Sequence, residues 1–260
     1  MKPISKYQGL VLKIKDYKEN SSLVTVITPE FKQNYIVRGT KKLTSKTAKW
    51  INFLNNISFT ATDTDGLNTM TEAFVLNSFP NIVTDSKKLE VGFVIVEKLD
   101  LLYEQATDLN KLYEFTLKIL NLLEQSNYPM QILQLFEIKI MYLLGIAPNL
   151  NNCMKCNQII NNEMFFFNVN VGGNICSKCG TYDEFHTNNY VLNNDLSKVF
   201  KYLYFIKIDN VDEEFLKLIY EIEGEYGEKS INKAIDLYYQ QYLDFNSKVK
   251  KVYASMKGEK

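Results

Sequence analysis

Four cysteines in two short pairs constrain the fold of this chain more than any other feature. Cys153 and Cys156 form the first C-x-x-C pair, and Cys176 and Cys179 form the second pair after a gap of 19 residues. They are the only cysteines among the 260 residues. This spacing is typical of a tetrahedral zinc site with four thiolate ligands, because each pair turns two sulfurs toward one point. Since four thiolates leave no position for water or substrate, we predict that this Zn²⁺ is structural.

Two disulfides or four unrelated thiols are the alternatives to a metal site. Disulfides persist in oxidising compartments, whereas the first 15 residues are charged throughout and lack the apolar core of a signal peptide. No apolar run reaches the length of about 18 residues that a membrane-spanning helix needs, so we expect no membrane association. We therefore expect a cytoplasmic protein, in which paired C-x-x-C motifs favour metal binding.

Basic residues are concentrated at the N-terminus, although the whole chain has a formal net charge of zero. Residues 1–50 contain eleven basic and three acidic residues, which gives this segment a net charge of +8. Such a separation favours a polyanionic partner for the N-terminal part. The alternative is an ordinary lysine-rich surface with no such partner. Arg38 is the only arginine, so any phosphate contacts would depend mainly on lysine.

Residues 1–80 predict a small β-barrel. The first segment alternates through Leu10, Leu12 and Ile14 with lysines between them, which is the pattern of a half-buried strand. A Thr-Asp-Gly sequence at 64–66 predicts the turn between the last two strands. Five short antiparallel strands fit an OB-fold or an SH3-like barrel, and periodicity does not distinguish the two. The predicted strands are 8–17, 23–28, 33–37, 53–62 and 69–76.

Beyond Pro80 the apolar spacing changes to the helical period, which predicts a helical domain over residues 81–250 and an α+β fold class for the chain. Ser86 is the predicted cap of the first helix, and Pro129 suits the first turn of the third. The cysteine segment interrupts the helical pattern, so we predict a zinc finger at 150–182 inserted in this domain. The predicted helices are 86–102, one around 109–120, 129–143, 195–205, 213–226 and 231–245.

The segment between the two cysteine pairs is rich in aromatic residues and glycine. Met164 precedes three consecutive phenylalanines at 165–167, and Gly172 and Gly173 permit a tight turn. Phenylalanine faces can stack on the bases of a single strand. The alternative, which we favour, is that these rings anchor the hairpin to neighbouring helices, because so small a hairpin has little core of its own.

We expect no catalytic activity from this chain. His186 is the only histidine, and no convincing serine or cysteine nucleophile accompanies it. Neither a glycine-rich phosphate-binding motif nor an H-E-x-x-H sequence occurs. Asp63 and Asp65 lead directly into Gly66, which favours a polar hairpin tip over a magnesium site. The sequence therefore indicates a binding protein.

Two blocks of residues carry a resemblance to a known family. The first block consists of GLVLKIKDYKEN at 9–20, VTVITPE at 24–30, RGTKK at 38–42 and SK at 45–46. The second consists of FEIKIMYLLG at 136–145, PNL at 148–150, the two cysteine pairs and GG at 172–173. In this order, across most of residues 7–180, they resemble the RecO family of bacterial DNA repair proteins. The last 80 residues are similar to that family only in their helical pattern.

The resemblance implies an OB-fold at residues 1–80 and a helical domain with a zinc finger at 81–250. It implies binding to single- and double-stranded DNA and annealing of complementary strands. It also implies partnership with RecR and with single-stranded DNA-binding protein, so that RecA is loaded indirectly onto coated single strands in the cytoplasm, at the nucleoid. The alternative function is a protein-interaction adaptor whose basic face binds the acidic tail of a partner.

We predict that DNA phosphates contact lysines of the first strand and of residues 38–49, with tyrosine rings stacking on bases. Trp50 suits a core position as well as a stacking position. The candidate DNA-binding residues are Lys13, Lys15, Tyr17, Lys18, Tyr35, Arg38, Lys41, Lys42, Lys46 and Lys49.

Overall fold

A computed structural model describes residues 4–41, 47–62, 66–161, 164–180, 191–225 and 231–257 of the chain. By internal contacts the chain divides into two compact units, Met1–Gln125 and Ser126–Lys260. The predicted division at residue 80 coincides with the end of the barrel strands, and it stays a prediction as a domain boundary. No helix in the described ranges is both long enough and apolar enough to cross a membrane.

The first unit begins with five strands, as the alternating pattern predicts. Each strand lies within a few residues of its predicted range. The strands are β1 (Ile4–Tyr17), β2 (Ser21–Ile27), β3 (Lys32–Arg38), β4 (Asn56–Thr62) and β5 (Asn68–Asn77).

The strand order closes these five strands into a barrel and identifies its topology. The order is β1-β2-β3-β5-β4, and β1 pairs with both β2 and β4. β3 and β5 run parallel, from the pair Tyr35 and Asn68 to the pair Val37 and Met70, whereas the other neighbours are antiparallel. This Greek-key closure is that of an OB-fold, so the choice that periodicity left open is decided by the pairing of β3 with β5.

The barrel interior is filled by the inward side chains of the five strands. Val24 and Val26 of β2 are fully buried, whereas Leu23 and Thr25 between them are only partly buried. This two-residue period is what a strand with one buried face requires. Tyr35 and Phe59 meet edge to face across the core, with ring centroids 5.1 Å apart.

Three helices complete the first unit. α1 (Pro80–Thr84), α2 (Ser86–Leu102) and α3 (Leu109–Gln125) follow the barrel in the chain. Asp85, and not the predicted Ser86, caps α2, because the Asp85 carboxylate accepts hydrogen bonds from the backbone N–H groups of Lys87 at 2.9 Å and Lys88 at 3.0 Å. Those bonds, with Lys88 the largest contributor, lower the pKa of Asp85.

Two buried tyrosine hydroxyls tie these helices to the barrel strands. The Tyr103 hydroxyl, just beyond α2, donates to the Thr28 carbonyl oxygen at 2.6 Å, and the Tyr113 hydroxyl of α3 donates to Asn56 Oδ1 at 2.8 Å. Burial raises the pKa of both phenols, so both remain donors throughout the physiological range. These bonds attach α3 and the segment that follows α2 to the barrel strands.

The second unit is helical around a short hairpin. α4 is buried on nearly all sides, and its buried residues include the polar Gln131, Gln134 and Glu137. The helices match the predicted ranges, except that α8 is an addition to them. The elements are α4 (Pro129–Leu143), β6 (Phe165–Asn168), β7 (Gly173–Cys176), α5 (Asn194–Phe205), α6 (Glu213–Gly224), α7 (Ile231–Leu243) and α8 (Lys248–Lys257).

A buried ion pair holds α8 against the rest of the second unit. Lys250 Nζ lies 2.8 Å from Glu137 Oε1 of α4 and 2.7 Å from Asp236 Oδ1 of α7. Glu137 is fully buried, so Lys250 supplies the charge that makes its burial tolerable. Burial lowers the pKa of Lys250, but the two carboxylates outweigh burial and raise it. The stabilisation is therefore present below the unfolded lysine pKa of about 10.4 and is lost as pH rises through the higher folded value.

Replacing Lys250 by Met should lower the free energy of unfolding by about 3 kcal/mol, because the buried Glu137 carboxylate then loses the positive charge that lies 2.8 Å from it. Urea denaturation at neutral pH measures the change. Lys251→Met, at an exposed position of the same helix, is the matched control and should change stability by less than about 0.5 kcal/mol. Equal stabilities of the two variants would contradict the assignment of Lys250.

Candidate metal centre and nucleic-acid interface

The cysteine hairpin is built on two short antiparallel strands. β6 pairs with β7 from Phe165 opposite Cys176 to Asn168 opposite Gly173. Gly172 has a φ of +70°, the left-handed conformation that favours glycine at a tight turn. A side chain at Gly173 would clash with the carbonyl oxygen of Asn149, which accepts from Asn174 N at 2.9 Å. The two glycines therefore let the segment before the first cysteine pair lie directly against the hairpin.

Each cysteine pair closes its own tight turn. Asn157 N donates to Cys153 O at 2.8 Å in the first turn, and Gly180 N donates to Cys176 O at 3.1 Å in the second. Met154 N also donates to Asn174 O at 2.9 Å, so the first turn is bound to β7. These bonds bring the two C-x-x-C pairs together at one end of the hairpin.

The four sulfurs form one cluster with the dimensions of a metal site. All four Sγ atoms lie within 4.8 Å of one another, and Cys156 Sγ lies 3.9 Å from Cys176 Sγ. Four Zn–S bonds of about 2.3 Å in a tetrahedron place the sulfurs about 3.8 Å apart. The 3.9 Å separation of that pair is far longer than the disulfide bond of about 2.05 Å. The cluster can thus hold a metal ion with all four cysteines as ligands.

The protonation of the cluster shows why a cation suits it. Burial raises the pKa of the Cys153 thiol, but backbone N–H groups of Cys176, Cys156 and Lys155 outweigh burial and lower it to about 6. Hydrogen bonds with the Cys156 and Cys176 sulfurs raise the pKa of Cys179 to about 12. One sulfur thus ionises easily while a crowded neighbour resists ionisation. A bound cation removes that resistance, because it compensates the repulsion among thiolates.

The phenylalanines of the hairpin are mostly anchors, as we favoured from the sequence. Phe167 is fully buried and stacks on Phe200 of α5 with ring centroids 4.3 Å apart. Phe165 packs with Cys153 and Cys176 in the small core of the hairpin. Phe166 is partly buried and Met164 is exposed.

The candidate DNA-binding residues lie in the first unit, mostly at its surface. Lys15, Lys18, Arg38 and Lys49 are exposed. Lys41 is also exposed and pairs with Asp16 at 3.2 Å. Lys42 and Lys46 lie outside the described residues, as do His186, Asp63 and Asp65.

The aromatic candidates divide into one buried ring and two partly exposed rings. Tyr35 is fully buried in the barrel core, where a base cannot reach its ring, so the predicted stacking role of Tyr35 is wrong. Its inward direction follows from its pairing with the core residue Val24. Tyr17 is partly exposed at the end of β1, and the Lys18 ammonium lies 5.3 Å from its ring centroid. Trp50 packs against the barrel core while remaining partly exposed.

Three strands form a basic groove on the outside of the barrel. Lys13 of β1 is paired with Thr25 of β2, and Thr25 is paired with Asn34 of β3, so the three lie in one row. The Thr25 hydroxyl donates to Asn34 Oδ1 at 2.7 Å. The groove has a volume of about 200 Å³, and its other lining residues are Lys15, Leu23, Lys32, Gln33 and Asp100.

Asp100 of α2 is a part of this groove that sequence reasoning missed. Its carboxylate forms an ion pair with Lys13, and Lys32 Nζ lies 3.9 Å from its Oδ1. Lys32 also donates to the Asp100 backbone carbonyl oxygen. Lys32 was likewise absent from the candidate residues. Asp100 lies 87 residues after Lys13 in the chain, so no local sequence pattern signals the pairing.

The fold and the site define a class of protein in which an OB-fold barrel with a basic groove precedes a helical domain with a hairpin of four clustered cysteines. Residues 1–79 match the family model for the recombination protein O N terminal domain, and residues 83–251 match the model for the recombination protein O C terminal domain. The chain therefore belongs to the RecO family, which gives it a role in DNA repair and recombination.

Individual relatives agree with the family models over nearly the whole chain. A DNA repair protein RecO from Listeria monocytogenes serotype 4b (strain CLIP80459) is 27% identical over 254 residues, covering 97% of this chain and 95% of that protein. The DNA repair protein RecO of Bacillus subtilis (strain 168) is 27% identical over 258 residues, covering 99% and 96%. That of Alkaliphilus metalliredigens (strain QYMF) is 26% identical over 247 residues, covering 93% and 96%.

Replacing Cys176 by Ser should remove the metal and lower the free energy of unfolding by more than about 4 kcal/mol, because metal binding supplies folding energy to the hairpin. Elemental analysis of the purified protein should find one metal ion per wild-type chain and little in the variant. Denaturation with and without a chelator measures the stability.

Ser177→Ala is the matched control, because it changes an exposed neighbour and keeps all four sulfurs. It should retain the metal and the wild-type stability. A wild-type protein that carries no metal and is indifferent to chelators would show that the sulfur cluster is not a metal site.

Proposed function

We propose that this chain binds single- and double-stranded DNA through the basic face of its OB-fold barrel and anneals complementary strands. The observation that carries this proposal is the groove on β1, β2 and β3, where Lys13, Lys15 and Lys32 gather on the outside of the barrel. The corresponding strands of OB-folds, with their neighbouring loops, commonly receive oligonucleotides. The contacts are mainly to phosphates, because the lysines are point charges with no base-specific geometry.

The exposed positions of the groove suit a sugar-phosphate backbone. Lys15 lies two residues from Lys13 on β1, which places their Cα atoms about 6.6 Å apart on one face of the strand. That interval is close to the spacing of successive phosphates in an extended single strand. Thr25 and Asn34 add uncharged hydrogen-bonding groups between the lysines. Arg38, at the exposed end of β3, extends the positive charge beyond the groove.

Annealing follows from charge neutralisation without a chemical step. Two complementary strands repel each other through their phosphates, and a basic surface lowers that repulsion by neutralising phosphates, while the release of condensed counterions favours the binding. Phosphate contacts carry no sequence information, so a bound strand is free to search for its complementary register. We therefore assign no catalytic residue and no enzymatic activity to the chain.

We propose that the metal is Zn²⁺ and that its role is structural. Four thiolates in a tetrahedral cluster suit zinc or an iron–sulfur centre, and the C-x-x-C spacing is that of structural zinc sites. The residues that would hold the ion are Cys153, Cys156, Cys176 and Cys179. Bound there, zinc would fasten the hairpin to the segment that follows α4 and supply no chemistry.

RecR and single-stranded DNA-binding protein are the proposed protein partners. Together with RecR, the chain would help to load RecA onto single-stranded DNA that is coated by single-stranded DNA-binding protein. Membership of the RecO family supports this assignment, and we propose that the protein acts in the cytoplasm, at the nucleoid. Reconstituted RecA loading with RecR present or omitted tests it directly.

Charge reversal of Lys15 and Arg38 together should weaken single-stranded DNA binding at least about tenfold at low salt. The plot of log K against log salt should become shallower by about 1.4, because each lost phosphate contact contributes about 0.7. Fluorescence anisotropy of a labelled oligothymidylate over a salt series measures both quantities.

The matched control is the double charge reversal Lys87→Glu with Lys118→Glu, at exposed positions of α2 and α3. It changes the net charge of the protein equally, and it should leave most of the affinity intact. Binding that is independent of salt in the wild type would refute the proposed function. Equal losses in the two double variants would place the DNA-binding surface elsewhere.

A further inference from the structure

Two of the groove lysines have a partner within the protein. The Asp100 side chain is only 19% exposed and pairs with Lys13, and it lies 3.9 Å from Lys32 Nζ. Glu104, on the short turn after α2, adds a second carboxylate 4.0 Å from Lys32 Nζ. The carboxylates of this cluster therefore come from α2 and the short turn after it, and its two lysines come from β1 and β3.

The Asp100 carboxylate presents to the two lysines the same kind of anionic group that a phosphate does. A carboxylate presents two anionic oxygens to the lysines, as a phosphodiester does, and it reaches both Lys13 and Lys32 at once. Lys15 lines the same groove without any ion pair in the described residues. Two ammonium groups of the groove, those of Lys13 and Lys32, thus lie beside a carboxylate, whereas that of Lys15 does not, within the part of the chain that the structure describes.

We infer that Asp100 is an internal competitor of DNA, occupying the position that a backbone phosphate takes when a single strand binds. This inference rests on the proposed function and adds to it a residue that limits affinity. Binding exchanges the Lys13–Asp100 and Lys32–Asp100 pairs for pairs with phosphate. The released Asp100 carboxylate then lies beside the strand and repels it.

Competition by Asp100 would assist strand annealing. A strand that is held too tightly cannot shift its register along a complementary strand. A carboxylate beside the phosphate site weakens the grip and favours release, since like charges at close range are repulsive. Asp100 therefore speeds release of the strand, while the lysines keep its rate of binding high.

Replacing Asp100 by Asn tests the inference in the full-length protein. Removal of the competing charge should tighten oligothymidylate binding about three- to tenfold at low salt, because partly exposed ion pairs such as Lys13–Asp100 are weak and only a modest gain follows from their loss. The slope of log K against log salt should change by less than about 0.7, because the same lysines neutralise the same phosphates once the strand has displaced Asp100. Annealing of complementary strands should slow at high protein concentration, because the strands are held longer.

Glu114→Gln is the matched control, since it removes an exposed negative charge on α3 that does not line the groove. It should change the affinity by much less than Asp100→Asn. Lys13→Gln should weaken binding more in the Asp100→Asn background than in the wild type, whereas a merely global charge effect would give equal losses in both backgrounds.

The outcomes separate this inference from the proposed function. If the wild type binds DNA with a steep salt dependence and Asp100→Asn binds no more tightly, the competitor role is overturned and the function stands. If no variant binds DNA, the function itself fails. Thermal denaturation of each protein shows whether it is folded. Asp100→Ala is a second variant that also removes the carboxylate. Loss of folding in both variants would overturn the inference by showing that Asp100 is needed for structure.

Discussion

One extra residue in β1 determines which side chains of the barrel face the core and which face outward. Val11 is paired with Val26 of the core, but Lys13 is paired with Thr25 of the outer groove, so Leu12 is a bulge between them. Because side chains alternate along a strand, a strand without this bulge would aim Lys13 inward, along the direction that Val11 takes. The basic groove, the pair with Asp100 and the proposed DNA surface all depend on this change of register.

At position 9, β1 has room only for a glycine. A side chain at Gly9 would clash with Val26 and would approach the Ile27 carbonyl oxygen to 2.7 Å. The first half of β1 then pairs with β4 and the second half with β2, which closes the barrel without a free edge. α2 packs against the same strand, and this brings Asp100 to the groove.

In the second unit, the structure of the hairpin depends on the close contact between the two turns that carry the cysteine pairs. The hairpin has a core of only a few residues, and two of these, Cys153 and Cys176, are also members of the sulfur cluster. A metal ion held by the sulfur cluster would therefore act on side chains that also form the core of the hairpin. Phe167, stacked on Phe200, joins the hairpin to the helices, so the stability of the metal segment and of the helical unit are linked.

The sequence by itself determined most of the helices and strands and identified the four cysteines that gather in one cluster. Alternation, helical spacing and the C-x-x-C pattern are local, and they predicted the five strands, most of the helices and the four cysteines. The resemblance implied the OB-fold, and the tertiary structure confirmed it through the pairing of β3 with β5. The tertiary structure alone decided the burial of Tyr35 and the pairing of Lys13 with Asp100. The parallel pairing of β3 with β5 and the approach of α2 to the groove join residues far apart in the chain. The spacing of apolar residues along the chain does not predict such pairings, because they form only when the barrel closes and its outer face contacts the helices.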